Sequence, residues 1–224
     1  MTKTLLQKFS TKNQRLIIIR ILAEIGTTVT FLTALKHMPL ANVTAILQSL
    51  PLAITMAAAI FLGEPVGWRR WSAICVGFTG VLIIIRPGLA GFNSYSLLAL
   101  AAVILLTVRE ISTRQLDNKI PTVTVALSTT LGITAFAALM LIGTEWADIN
   151  FASWSLIIAA AAAVTVATLL SVVAMRTGDI GFVSPFRYTS MLAAIVLGIL
   201  MFEEWPDQPT IIGTVIIIIT GIYI

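Results

Sequence analysis

Apolar residues run along this chain in eight long blocks, at 15–36, 40–62, 69–86, 95–113, 122–143, 153–175, 180–202 and 209–224. Each block approaches the roughly 20 residues that a helix needs to cross a hydrocarbon core of about 30 Å. The blocks are continuous rather than alternating, so the strand pattern of a membrane β-barrel is absent. Between them stand Met38-Pro39, Glu64-Pro65, Arg86-Pro87-Gly88, Lys119-Ile120-Pro121, Thr177-Gly178-Asp179 and Glu204-Trp205-Pro206. Breakers and charges of this kind end helices and make short connections. The pattern predicts an all-α integral membrane protein with eight transmembrane helices, preceded by a polar cytoplasmic segment at 1–14. No small-residue cleavage pattern follows the first block, which is therefore read as a retained span.

Composition excludes the main alternatives. Of 224 residues, 58% are hydrophobic and 11% charged, whereas soluble domains are about 25% charged. A soluble enzyme, a disordered chain and a nucleic-acid-binding module are all ruled out, and no catalytic residues are expected. A net charge of +4 would suggest nucleic acid in a soluble basic domain, but here the charges sit between apolar blocks and report topology. With the N-terminus in the cytoplasm, that side collects Lys3, Lys8, Lys12, Arg15, Arg69, Arg70, Arg109, Arg114, Lys119 and Arg176. The outer side gets Lys36 and Arg86, together with the acidic Glu145, Asp148, Glu203, Glu204 and Asp207. That bias follows the positive-inside rule, and the tryptophans near span ends match an aromatic belt. The expected location is the bacterial inner membrane, multi-pass, with a cytoplasmic N-terminus. Cys75 is read as a buried small hydrophobe. With one cysteine and one histidine, His37, neither a metal site nor a cofactor is expected.

The two halves of the chain echo each other. Ala34-Leu35-Lys36 reads against Ala174-Met175-Arg176, and at the same offset of 140 residues Val43 matches Val183, Ala53 matches Ala193 and Glu64 matches Glu204. That offset crosses five spans, an odd number, so the two copies lie in the membrane in opposite directions. Inverted-topology repeats of this kind are common in secondary transporters, with the substrate site near the midplane between the halves.

Polar groups inside spans are expensive and demand a reason. Arg20 and Glu24 share a helix face at i, i+4. They read either as a charged patch on a substrate path or as an arginine snorkelling to the headgroups with its partner. Ser184, Pro185, Arg187 and Tyr188 form a second cluster. Ser184, Arg187 and Tyr188 fall on one helical face, and the proline frees a backbone carbonyl that a cavity can satisfy. The cluster reads as cavity lining or as an interhelical hydrogen-bond network. Thr44, Gln48, Pro51 and Thr55 make an uncharged stripe at the equivalent place in the first copy, read as the other cavity wall or as polar glue. Ala73, Gly77 and Gly80 read as a strip for close helix packing. Arg109 and Glu110, near a span end, are expected to snorkel.

These residues carry a family resemblance. Ala34 to Ala41, the polar span with Pro51, Phe61-Leu62-Gly63-Glu64 and Gly77-Phe78-Thr79-Gly80-Val81 resemble the EamA repeat of the drug/metabolite transporter superfamily. Pro185-Phe186-Arg187-Tyr188-Thr189, Phe202 to Asp207, Ile212-Gly213 and Gly221-Ile222-Tyr223 resemble the end of the second such repeat. The resemblance implies an inverted-topology repeat of EamA type, with 15–88 the remainder of the first repeat (three helices) and 95–224 the second (five helices). Such proteins have ten helices, so, matched from the C-terminal end, the first two are absent here. The Pro-Phe-Arg-Tyr-Thr run resembles a bacterial subgroup described as S-adenosylmethionine-uptake-like.

The function expected is secondary transport of a small polar metabolite by alternating access, with Arg20, Glu24, Thr44, Gln48, Pro51, Ser184, Pro185, Arg187 and Tyr188 on the pathway. The alternative is a non-transporting membrane subunit or remnant that needs a partner for the missing helices. The partners expected are a small-molecule metabolite and the lipid bilayer, not nucleic acid, with a homodimer left open.

Overall fold

The computed structural model describes residues 10–87, 93–117, 119–142, 150–177, 189–203 and 205–223. Among these the regular elements are all helices: α1 (Thr11–His37), α2 (Leu40–Leu47), α3 (Leu50–Phe61), α4 (Trp68–Ile85), α5 (Ser96–Arg114), α6 (Thr122–Met140), α7 (Phe151–Thr177), α8 (Thr189–Phe202) and α9 (Gln208–Tyr223). Lipid leaves no other solution short of a closed barrel, because every backbone N–H and C=O must find its partner within the protein. Taking α2 and α3 as one crossing, each of the eight predicted blocks carries a helix. Six are long and apolar enough to cross a membrane, while α8 and α9 are shorter apolar helices. Part of the seventh predicted block, 180–188, lies outside the described residues.

The block at 40–62 departs from expectation, since it is two helices rather than one. The Gln48 N–H reaches both Thr44 O and Ala45 O, and the Ser49 N–H turns back three residues to Ile46 O at 3.1 Å. The ladder thus tightens into an i→i+3 turn. Pro51 explains why it does not continue, because it has no N–H for the carbonyl of Leu47 and its ring crowds that carbonyl. Restarting the helix at Leu50 places Pro51 in the first turn of α3, where the missing N–H does no harm.

Two compact units emerge. The first comprises Met1–Ile25 and Ser112–Gly178, the second Gly26–Ile111 and Asp179–Ile224. The long helices α1 and α5 each lend one end to each unit. In the first, Ile17, Leu116, Ile120, Val125, Ala126 and Val172 form the core, with Ile21 and Leu169 packed against it. Gly132 of α6 makes room for Ile21, whose Cγ2 would collide with any Cβ placed there. The helix α7 touches this core through Leu169 and Val172, yet nearly all of its apolar stretch is exposed.

The second unit is built around α2 and α3, the most buried of the long apolar spans among the described residues. Val43, Ile46, Leu52, Ile54, Val103 and Ile217 anchor its core. Here α4 and α9 run antiparallel: Gly77 lies against Thr220, Gly80 against Gly213 and Ile217, and Arg86 against Asp207. The small-residue strip Ala73, Gly77 and Gly80 faces this contact, as the sequence predicts. A Cβ on Gly80 would stand 2.8 Å from Gly213 O, and one on Gly213 would stand 2.5 Å from Gly80 O. Cys75 does not follow its reading as a buried hydrophobe, for it is exposed. At 100° per residue it lies on the side of α4 opposite the glycine strip. Near the end of α1, the His37 ring stacks on Tyr95 with centroids 3.9 Å apart, and Asn93 Nδ2 donates to His37 O.

Candidate functional site

The break between α2 and α3 carries polar side chains deep in the second unit. Gln48 is 3% exposed, and its Nε2 donates to Ser190 Oγ on α8 at 3.0 Å. Beside it, the Ser49 hydroxyl donates to Ile46 O at 2.7 Å, which satisfies a carbonyl at the end of α2. Pro51 is buried, and Thr44 is half-buried on α2. Thr55 donates to Pro51 O within α3. The stripe predicted on one helix face is therefore split, with Gln48 at the junction. Elsewhere on α2, Asn42 Oδ1 accepts from Thr210 Oγ1 of α9 at 3.1 Å. Membrane transporters commonly build ion and substrate sites from interrupted helices of this kind, whose half-helix ends present backbone groups and dipoles.

Arg20 is the corresponding feature of the first unit. It is 1% exposed, so the snorkelling alternative is overturned. Its Nε donates to Thr129 Oγ1 of α6 at 3.0 Å, and its Nη1 donates to Thr113 Oγ1 of α5. The Thr129 hydroxyl donates its own proton to Val125 O, leaving its lone pairs for the guanidinium. Both threonines are themselves buried. Glu24 stands one turn further along α1, half-buried. In the second unit's part of α1, Thr27 is 9% exposed and its Oγ1 has no hydrogen-bond partner among the described residues.

The expected snorkelling of Arg109 and Glu110 is likewise corrected. Glu110 is 1% exposed, and Arg109 Nη2 pairs with its Oε1 at 2.5 Å. A carboxylate this deep needs such a partner, because burial of an isolated charge costs far more than a membrane helix can offset. Ser184, Pro185, Arg187 and Tyr188 lie outside the described residues.

Outside the spans, Asp207 caps α9. Its Oδ1 accepts from the Thr210 N–H at 3.0 Å, and its Oδ2 pairs with Arg86. Burial alone would raise its pKa. The hydrogen bonds from Thr210 and Arg86, with the charge of Arg86, outweigh that and bring the carboxyl below its ordinary 3.8.

Sequence reasoning missed Thr113, Thr129 and Ser190 as partners. Hydroxyl residues in apolar spans usually bond their own helix, and nothing in the linear pattern says which of them meets a distant side chain.

The EamA-like transporter family model matches residues 3–86 and 93–224, in two stretches that together take in nearly all of the chain. The chain belongs to the EamA-like transporter family. Its EamA-type helices make it a multi-pass membrane protein. A relative in Rickettsia conorii, an S-adenosylmethionine uptake transporter, is 25% identical over 83% of this chain and 63% of its own length. A riboflavin transporter of Vibrio cholerae is 28% identical over 91% of this chain and 68% of its own. The chain thus spans a little under two thirds of the length of the Rickettsia relative. A crystal structure of a protein 22% identical in sequence superposes with a TM-score of 0.69, over 97% of this chain and 76% of the other. At that identity the likeness speaks of the fold.

Proposed function

We propose that this EamA-like protein is a secondary transporter that moves a small polar metabolite across the bacterial inner membrane by alternating access, with its N-terminus in the cytoplasm. The observation that carries the reading is Gln48, a buried amide at an interrupted helix, held by Ser190. Thr44 and Pro51 flank it. In the first unit, Arg20 takes the role of a fixed cation for an anionic group, with Glu24 beside it on α1. The segment with Ser184, Pro185, Arg187 and Tyr188 supplies the second guanidinium.

The inverted repeat, 15–88 against 95–224, belongs to the same proposal. The two-stretch family match supports it, and so does the packing of α4 on α9. These helices correspond at an offset of about 140 residues and run antiparallel, as inverted copies must. The names of the relatives direct the first substrates to try: S-adenosylmethionine and riboflavin, both polar and both built on heteroaromatic rings. The proposal includes a homodimer, supported by the broad uncovered face of α7, and cross-linking in native membranes tests that part.

The experiment is uptake into proteoliposomes loaded with purified chain. Wild type accelerates entry of one of the two labelled substrates, while Gln48→Leu and Arg187→Ala abolish it. Transport unchanged in both variants would remove these residues from the pathway.

A further inference from the structure

Beyond transport, we propose that the groove between the start of α4 and the end of α9 is a binding site for an anionic phospholipid. The groove measures about 350 Å³ and is lined by Trp68, Arg69, Ser72, Val76, Ile219 and Tyr223. Its composition changes along its length. One end carries a guanidinium, a hydroxyl and two aromatic rings, while the other has the aliphatic Val76 and Ile219 beside Thr220, whose hydroxyl is spent within its own helix on Ile216 O. That order matches a lipid, with a charged headgroup, an interfacial region and an acyl chain.

Charge decides among lipids. Arg69 and Arg70 are both exposed and adjacent, and neither forms an ion pair among the described residues. The Arg69 guanidinium sits over the Trp68 ring, with Cζ 5.8 Å from its centroid, which fixes its position at the mouth of the groove. The first turn of α4 adds to this field, because its N-cap, Gly67, supplies no side-chain hydrogen bond. The positive end of the helix dipole therefore faces the same place. Trp68 and Tyr223 are 76% and 61% exposed, as rings placed at the headgroup level are. A zwitterionic lipid brings no net charge to two arginines, whereas phosphatidylglycerol does.

Native mass spectrometry of the purified full chain tests the proposal. The probes are phosphatidylglycerol and phosphatidylcholine with identical acyl chains, plus inorganic phosphate. Wild type retains phosphatidylglycerol well above phosphatidylcholine. A juxtamembrane basic residue is worth roughly a fivefold change in binding, so Arg69→Gln weakens phosphatidylglycerol retention about fivefold and Arg69→Gln with Arg70→Gln about 25-fold. Arg69→Lys keeps most of it. Ile219→Asp, at the aliphatic end, weakens retention with both arginines intact. Equal retention of the two lipids, or full retention by the double arginine variant, overturns the proposal. Inorganic phosphate displacing the lipid at equal concentration would assign the groove to a free anion and overturn it too.

Discussion

Gln48 and Ser190, 142 positions apart in the chain, are joined by a hydrogen bond of 3.0 Å at the point where a membrane span is interrupted. At the repeat offset Gln48 corresponds to Tyr188, so its partner lies two residues from its own counterpart. In the proposed inverted repeat the two segments are equivalent, and in transporters built that way the substrate site lies near the midplane between the halves.

Gln48→Leu separates the two roles this amide can have. An interhelical hydrogen bond in a membrane protein contributes about 0.6 kcal/mol on average and at most about 1.7. Thermal unfolding in detergent will therefore shift by a few degrees at most. Transport, if Gln48 contacts substrate, falls to the level of empty liposomes. A large loss of stability with proportional loss of transport would make the residue structural.

The guanidinium of Arg20 donates to the hydroxyls of Thr113 and Thr129, and Thr129→Val removes one of these bonds without changing shape. Hydrogen bonds to charged groups are worth about 1.5–3 kcal/mol, so this variant is expected to lose that much stability in a urea or thermal titration. Thr165→Val is the control, because Thr165 is exposed and its hydroxyl donates within its own helix, to Ala161 O. It should leave the midpoint within experimental scatter.

Gly213→Ala asks whether α4 and α9 tolerate any separation. The added methyl would meet the Gly80 carbonyl and Ile84 Cγ1, both at 2.5 Å. A backbone carbonyl cannot rotate away, so the helices must part, and overpacking of this kind costs about 1–3 kcal/mol. Gly67→Ala meets nothing within 4 Å, so it carries no overpacking cost and should lose only the fraction of about 1 kcal/mol by which alanine is a poorer N-cap than glycine.

Acid will weaken the Arg86–Asp207 tie. The carboxyl of Asp207 is held below its ordinary pKa of 3.8. Its contribution is therefore complete above the unfolded value of about 3.9 and is lost as pH falls through the lower, folded one. Wild type should lose stability faster than Asp207→Asn below about pH 4, and the two should run parallel from pH 5 to 8. Identical slopes at low pH would show that the pair contributes nothing measurable.

The helical blocks were legible because lipid imposes one rule on every span. Apolar length marks the span, and prolines and charges mark its ends, so predicted and observed limits differ by only a few residues for α1, α4 and α5. The break at Gln48-Ser49 was not legible. Pro51 was read only as part of a polar stripe on one continuous span, because whether a proline kinks a helix or restarts it depends on which carbonyls find other donors, and here the Ser49 hydroxyl is such a donor. Burial was the second gap. Arg20 and Glu110 both stand near span ends, where distance alone favours snorkelling. Only the packing of α1, α5 and α6 turns Arg20 inward onto Thr113 and Thr129. Cys75 failed for the complementary reason, since an apolar run does not say which of its faces meets protein and which meets lipid.

The interruption at Gln48-Ser49 also has a mechanical meaning. Both residues keep right-handed dihedrals, with ψ of −10° and −7°, about 30° from the regular helical value near −42°. A small rotation at two adjacent residues would restore the regular i→i+4 ladder through this point. Pro51 opposes it, since its ring would then press on the Leu47 carbonyl at a cost of about 3 kcal/mol. The i→i+3 turn at this junction is thus held by a single ring, and replacing Pro51 with alanine would remove what opposes a continuous helix.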